Sequence, residues 1–114
     1  MQNIKGRNKR MLTLTKSQHK VLSELGLHID KEYSLQDIIE ILPESIKAKD
    51  GRFYYELVLR KYEVCYESYD VLYDNGAPFM IASFGIDDNK CKSILDCAFE
   101  MLKWCLKEKY INNG

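Results

Sequence analysis

FYYELVLRKYEVCYESYDVLY, residues 53–73, decides how this chain folds. Phe53, Tyr55, Leu57 and Leu59 recur at every second position, with Tyr54, Glu56, Val58 and Arg60 between them. A period of two is that of a pleated strand, in which successive side chains point to opposite faces. A helical stripe through residues 53, 54, 57 and 58 is the competing reading. Tyrosine, phenylalanine and valine density, strict alternation and flanking turn signals favour strands. The alternation continues as Tyr62, Val64 and Tyr66 against Glu63, Cys65 and Glu67. Acids at alternate positions predict that this second face is wetted. The spacing from Tyr66 to Tyr69 is three, which predicts a bulge or bend near Ser68–Asp70.

Turn signals bound this segment on both sides. Asp50-Gly51, between IKAK and RFYYELVL, predicts a type I′ hairpin, because both residues tolerate positive φ. Asp74-Asn75-Gly76 predicts a second reversal, and PFMIASFG at 78–85 a fourth strand. The result is an antiparallel meander of four strands.

Helical patterns lie on either side. Thr15-Lys-Ser-Gln18 has capping-box spacing, Val21, Leu22 and Leu25 share a face, and Gly26 suits a left-handed C′ position. A first helix is predicted over 15–25. Ser34-Leu-Gln-Asp37 opens a second, over 35–42, with Leu35, Ile38, Ile39 and Leu42 as its buried stripe. Pro43 stops it by disfavouring helical geometry at the residue before. After the cap residues Asp87, Asp88 and Asn89, KCKSILDCAFEMLKWCLKEKY predicts a long third helix. At roughly 100° per residue its apolar arc spans about 220°, with Ile94, Ala98, Met101, Leu102 and Cys105 central. Such an arc covers two surfaces: the sheet, and either the N-terminal helices or a second copy of the chain. Trp104 is core if those helices cover it and an interface residue if it is exposed. The fold class is therefore α+β: two short helices, a four-stranded antiparallel sheet, and a long C-terminal helix on one face.

The chain of 114 residues is read as a disordered basic arm, 1–11, followed by a single domain, 12–114. Residues 1–20 hold Lys5, Arg7, Lys9, Arg10, Lys16 and Lys20 with no acid, +6; the remainder has eleven basic and seventeen acidic residues, −6. Met11 stands just before the patterned sequence and is an alternative start. No apolar run reaches a membrane span and no apolar segment follows the basic N-terminus, so the expected location is the cytoplasm. Cys65, Cys91, Cys97 and Cys105 show no CxxC pair, and three of them fall on the predicted last helix. In a reducing compartment they read as small apolar residues rather than zinc ligands. His19 and His28 have no evident nucleophile or carboxylate partner and read as surface residues. Acids flank Cys65 and disfavour its thiolate. No phosphate-binding glycine loop or hydrolase motif is present, so neither an enzyme nor a cofactor is expected.

Two resemblances bear on function. LTKSQHKVLSELGLHIDKEYSLQDIIEIL, residues 14–42, resembles the opening of a winged-helix DNA-binding domain, in which a capped helix leads to a second introduced by Ser-Leu. That family next requires a recognition helix, where Pro43 and ESIKAKDGRFYY read as a bend and a hairpin. If the resemblance carried function, Lys5, Arg7, Lys9 and Arg10 would contact phosphates and binding would fall steeply with salt. The order YSLQDIIEILPESI, a strand block, then EMLKWCLKEKY resembles small uncharacterised proteins of gut-bacterial phages and mobile elements. It implies a cytoplasmic accessory protein acting by binding rather than by chemistry; no membrane partner is expected, and nucleic acid is the less favoured one. The partner is then another protein or a second copy, with Tyr54, Tyr69, Tyr73 and Trp104 as candidate contacts because aromatic residues are enriched at interface cores.

Overall fold

The computed structural model describes residues 12–28, 30–49, 51, 53–86 and 91–111, the side chains of Tyr69 and Val71 excepted. The arm at 1–11 and the caps expected at 87–89 lie outside the described residues. The elements run α1 (Lys16–Glu24), α2 (Leu35–Ile41), β1 (Ser45–Lys47), β2 (Tyr54–Leu59), β3 (Glu63–Leu72), β4 (Pro78–Gly85) and α3 (Ile94–Lys107). The strands form one antiparallel sheet in the order β1-β2-β3-β4, the meander that the turn signals predict.

Both N-terminal caps form as their spacing requires. The Thr15 hydroxyl accepts from the Gln18 amide while the Gln18 side chain accepts from Thr15 N–H, and Ser34 and Asp37 repeat the exchange. Each box satisfies two amides that a helix start leaves without intrahelical partners. Gly26 has φ +99° and donates to Ser23 O, while Leu27 N–H reaches Leu22 O. These are the two bonds of a Schellman stop. Leu42, before Pro43, has ψ 135° and leaves the helix.

The last helix differs from its expected span. It is 14 residues long and begins at Ile94, capped by Ser93, whose hydroxyl accepts from Asp96 N–H. The Asp96 carboxylate also accepts from Lys92 N–H and, across the structure, from the Gln18 side chain. Cys91 thus precedes the helix, buried, and only Cys97 and Cys105 lie on it. At its other end Lys109 takes φ +67°; its amide donates to Leu106 O, and Tyr110 N–H donates to Cys105 O. This is again a Schellman stop, with a lysine where glycine is favoured. Lys109→Gly is expected to raise stability by about 0.5–1 kcal/mol, since the left-handed region costs a side-chain-bearing residue roughly 1–2 kcal/mol and glycine's larger unfolded-state entropy returns part of it. Urea denaturation of the two proteins checks this.

The wide apolar arc of α3 is covered within the chain. The helix packs on β3 and β4 on one side and on α2 and α1 on the other. Leu22, Ile38, Val64, Tyr66, Met101 and Leu102 are fully buried there. Trp104 is half-buried, between the Tyr66 ring at 6.4 Å and the Tyr110 ring stacked at 5.3 Å. Its ring neighbours thus come from β3 and from the C-terminal turn.

Two expectations change at the turns and in the N-terminal layer. Gly51 N–H donates to Ala48 O, and Ala48 N–H to Phe53 O, so the hydrogen-bonded turn spans Ala48–Gly51. A type I′ turn at Asp50-Gly51 would have closed one residue later. Glycine instead takes the left-handed position at the turn's end, φ +76°, a place that suits it equally. The Tyr73–Gly76 turn is built alike, with Gly76 at φ +86°. His19 is not a free surface residue: its Nε2 accepts from Tyr33 N–H at 3.0 Å. That bond leaves Nδ1 to carry the proton and donate to Thr15 O, also at 3.0 Å. With Leu14 N–H donating to Tyr33 O, the imidazole ties α1 to the entry of α2. His28 is exposed, as expected.

Candidate functional site

All three helices gather on one face of the sheet, and among the described elements none covers the other. Strand pairing defines that open face. Glu56 lies opposite Glu67, Val58 opposite Cys65, Cys65 opposite Ser83, and Glu67 opposite Met80. Tyr54 is in phase with Glu56 and Val58, because strand side chains alternate. The open face therefore carries Tyr54, Glu56, Val58, Glu63, Cys65, Glu67, Met80 and Ser83. None of them belongs to the hydrophobic core cluster.

The wetted row expected here is only partly wet. Glu63 is half-buried, but Cys65 and Glu67 are fully buried. Arg60 contributes to this. Its guanidinium folds back along β3, with Nη2 donating to Glu67 Oε1 at 2.8 Å and Nη1 to Glu63 Oε1 at 3.2 Å and Cys65 Sγ at 3.4 Å. A carboxylate leaves water only when a cation and hydrogen bonds replace its hydration. Arg60 supplies a charge-assisted bond of that kind while its side chain stays 42% exposed. Ser83 extends the network by donating to Glu63 Oε2 at 3.1 Å. Alternation signalled the right face; the spacing of Arg60 to Glu67 across the β2–β3 turn was the unread signal for its burial.

The chemistry of this cluster is quiet. Burial first, then the Glu67 and Glu63 carboxylates, push the Cys65 thiol up to about 11. A thiol that stays protonated at neutral pH is a poor nucleophile and a poor metal ligand. Burial likewise pushes Cys105 up to about 11. Glu67 holds the Arg60 guanidinium firmly protonated. Among the described residues no disulfide joins the four cysteines, and no cluster of three or more His, Cys, Asp or Glu is placed to hold a metal. An open depression of about 740 Å³ borders the network, walled by Arg60, Tyr62, Glu63, Ser83 and Ile86.

The candidate aromatic contacts separate. Tyr54 is 56% exposed on the open face, its ring 5.5 Å from Lys47 Nζ. Tyr73 is 50% exposed but lies tilted against Phe79, ring centroids 5.0 Å apart, and Phe79 packs against the core on the helix side. The phase break near Ser68 is the cause. Ser68 pairs with Phe79 and Leu72 with Pro78, so residues 69–71 intervene on β3 with none opposite, and the alternation resets. Tyr54 and Tyr73 thus do not share a face. Tyr69 falls within this irregularity and its side chain lies outside the described residues. Tyr55 and Tyr66 are core, as alternation requires; Tyr62, at the β2–β3 turn, is 61% exposed. Trp104 lies across the sheet from Tyr54, against Tyr66. Lys5, Arg7, Lys9 and Arg10 are outside the described residues.

No protein-family model, curated protein or solved structure matched the chain. No described helix is long and apolar enough to cross a membrane. No recognition helix follows α2; β1 begins four residues after it.

Proposed function

We propose that the protein works by binding another protein through the open face of its sheet, as an accessory factor without chemistry of its own. The observation that carries this reading is a sheet face, uncovered by any described helix, that carries the exposed Tyr54, the half-buried Val58 and Met80, and an arginine bonded to a buried carboxylate. Interface centres favour tyrosine and arginine, and a side chain already held in place loses less entropy on binding. The raised Cys65 thiol makes this cluster a poor nucleophile, which is in keeping with a binding role for the face. The resemblance to small phage and mobile-element proteins is in keeping with an accessory role in the cytoplasm.

The test is affinity capture from native cells with wild type, Tyr54→Ser, and Lys107→Ser as a control on the exposed side of α3. The expected result is at least one protein retained by wild type and the control but reduced tenfold or more by Tyr54→Ser, about 1.4 kcal/mol or more of binding energy. An identical retained set for all three refutes the reading.

A further inference from the structure

β4 is the long edge of the sheet, eight residues against three for the other edge, β1. Its free side can be read from the ladder. Ile86 N–H donates to Tyr62 O, and Tyr62 and Ile86 continue the Glu63–Gly85 pairing. Hydrogen-bonded pairs alternate in an antiparallel ladder, so Phe84 and Ala82 bond β3. The backbone N–H and C=O of Ser83 and Gly85 then point away from β3, and no described strand receives them. Sheet edges are commonly guarded by charged side chains, prolines or brevity. PFMIASFG has no charged residue, and its one proline is at the first position, away from Ser83 and Gly85.

We infer that β4 is a self-pairing edge: two copies of the chain join β4 to β4, antiparallel, across a two-fold axis at Phe84. This contact is separate from the open face proposed above and stands or falls independently. The axis sets Ser83 of each copy against Gly85 of the other, so the outward groups of both residues find partners. A serine and a glycine opposite each other leave no side chain to clash on the open face. On the helix side Phe84 meets Phe84, each already packed against its own core, which joins the two cores along the seam. Self-pairing brings every charge of the strand into one seam together with its own copy, so the seam collects charges of like sign. A strand with none carries no such penalty, and this favours a second copy as occupant. The two sheets become one of eight strands, closed by symmetry against further growth at β4.

Sedimentation of the full chain, from low micromolar to near-millimolar concentration, tests this. Wild type is expected to reach twice the 13.4 kDa chain mass. Ser83→Pro is expected to remain at the single-chain mass with unchanged circular dichroism. That substitution removes an N–H directed away from β3, together with the exposed hydroxyl bond to Glu63. Should Ser83→Pro fail to fold, Ser83→Lys takes its place, setting a charge at the edge. A wild type of single-chain mass at every concentration overturns the inference, as does a dimer that survives whichever of the two variants folds. A monomer whose β4 amides gain exchange protection only when another protein is added overturns it too, since the edge would then take a foreign strand.

Discussion

Arg60→Ala is expected to lower stability by about 2 kcal/mol, a large effect for an arginine 42% exposed to solvent. Exposed ion pairs contribute about 0–1 kcal/mol, and on exposure alone Arg60 belongs with them. Its partner sets the larger figure. Glu67 is fully buried on β3, and Arg60 lies on it at 2.8 Å. Removing one member of a buried pair costs about 3–5 kcal/mol when both are enclosed, less here because water can enter on the arginine side. The pair also has a signature that a loss of packing alone lacks. Replacing both residues by apolar groups, Arg60→Met with Glu67→Leu, removes the desolvated charge with its partner. Urea denaturation of the double variant is expected to recover at least half of the loss. If Arg60→Ala unfolds at the wild-type midpoint, Glu67 is not buried under Arg60 in solution.

The other large effect lies on the opposite side of the sheet. Leu102→Ala is expected to cost about 3 kcal/mol and lower Tm by roughly 10–15 °C. Leu102 is fully buried on α3, the one helix that touches β3, β4, α1 and α2. A cavity there borders both layers, and the surrounding walls are held by their own contacts, so the site collapses poorly. Thermal unfolding followed by circular dichroism measures the shift. A change under about 1 kcal/mol would mean that α3 does not bridge the layers.

Much of this architecture is legible in the chain because local chemistry and global packing agree. Both N-terminal capping boxes, the Gly26 stop, the Pro43 break and the alternation over residues 53–66 each need only a few neighbouring residues, and each forms. The bulge after Tyr66 was also legible, as a spacing of three where two was due. What was misread depends on partners distant in sequence or on choices local chemistry leaves open. Ser93 caps α3 within a run with no glycine or proline to interrupt a helical reading. Asp50-Gly51 suits two turn types. His19 finds its role through Tyr33, fourteen residues on. Glu67 reads as a wetted acid until Arg60 folds across the β2–β3 turn to cover it. Of the four aromatic contacts proposed from sequence, Tyr54 stands on the open face. Tyr73 turns to Phe79 because residues 69–71 reset the phase, and Trp104 packs under Tyr110.

The central claim is that the sheet face left uncovered by the described helices is the working surface. Its most direct test is site-specific photo-crosslinking in native cells, with a benzophenone amino acid placed at Tyr54 and, in a parallel strain, at Lys107 on the exposed side of α3. The account predicts discrete crosslinked species from position 54 that are absent from position 107. Species from position 107 with none from position 54 would contradict it.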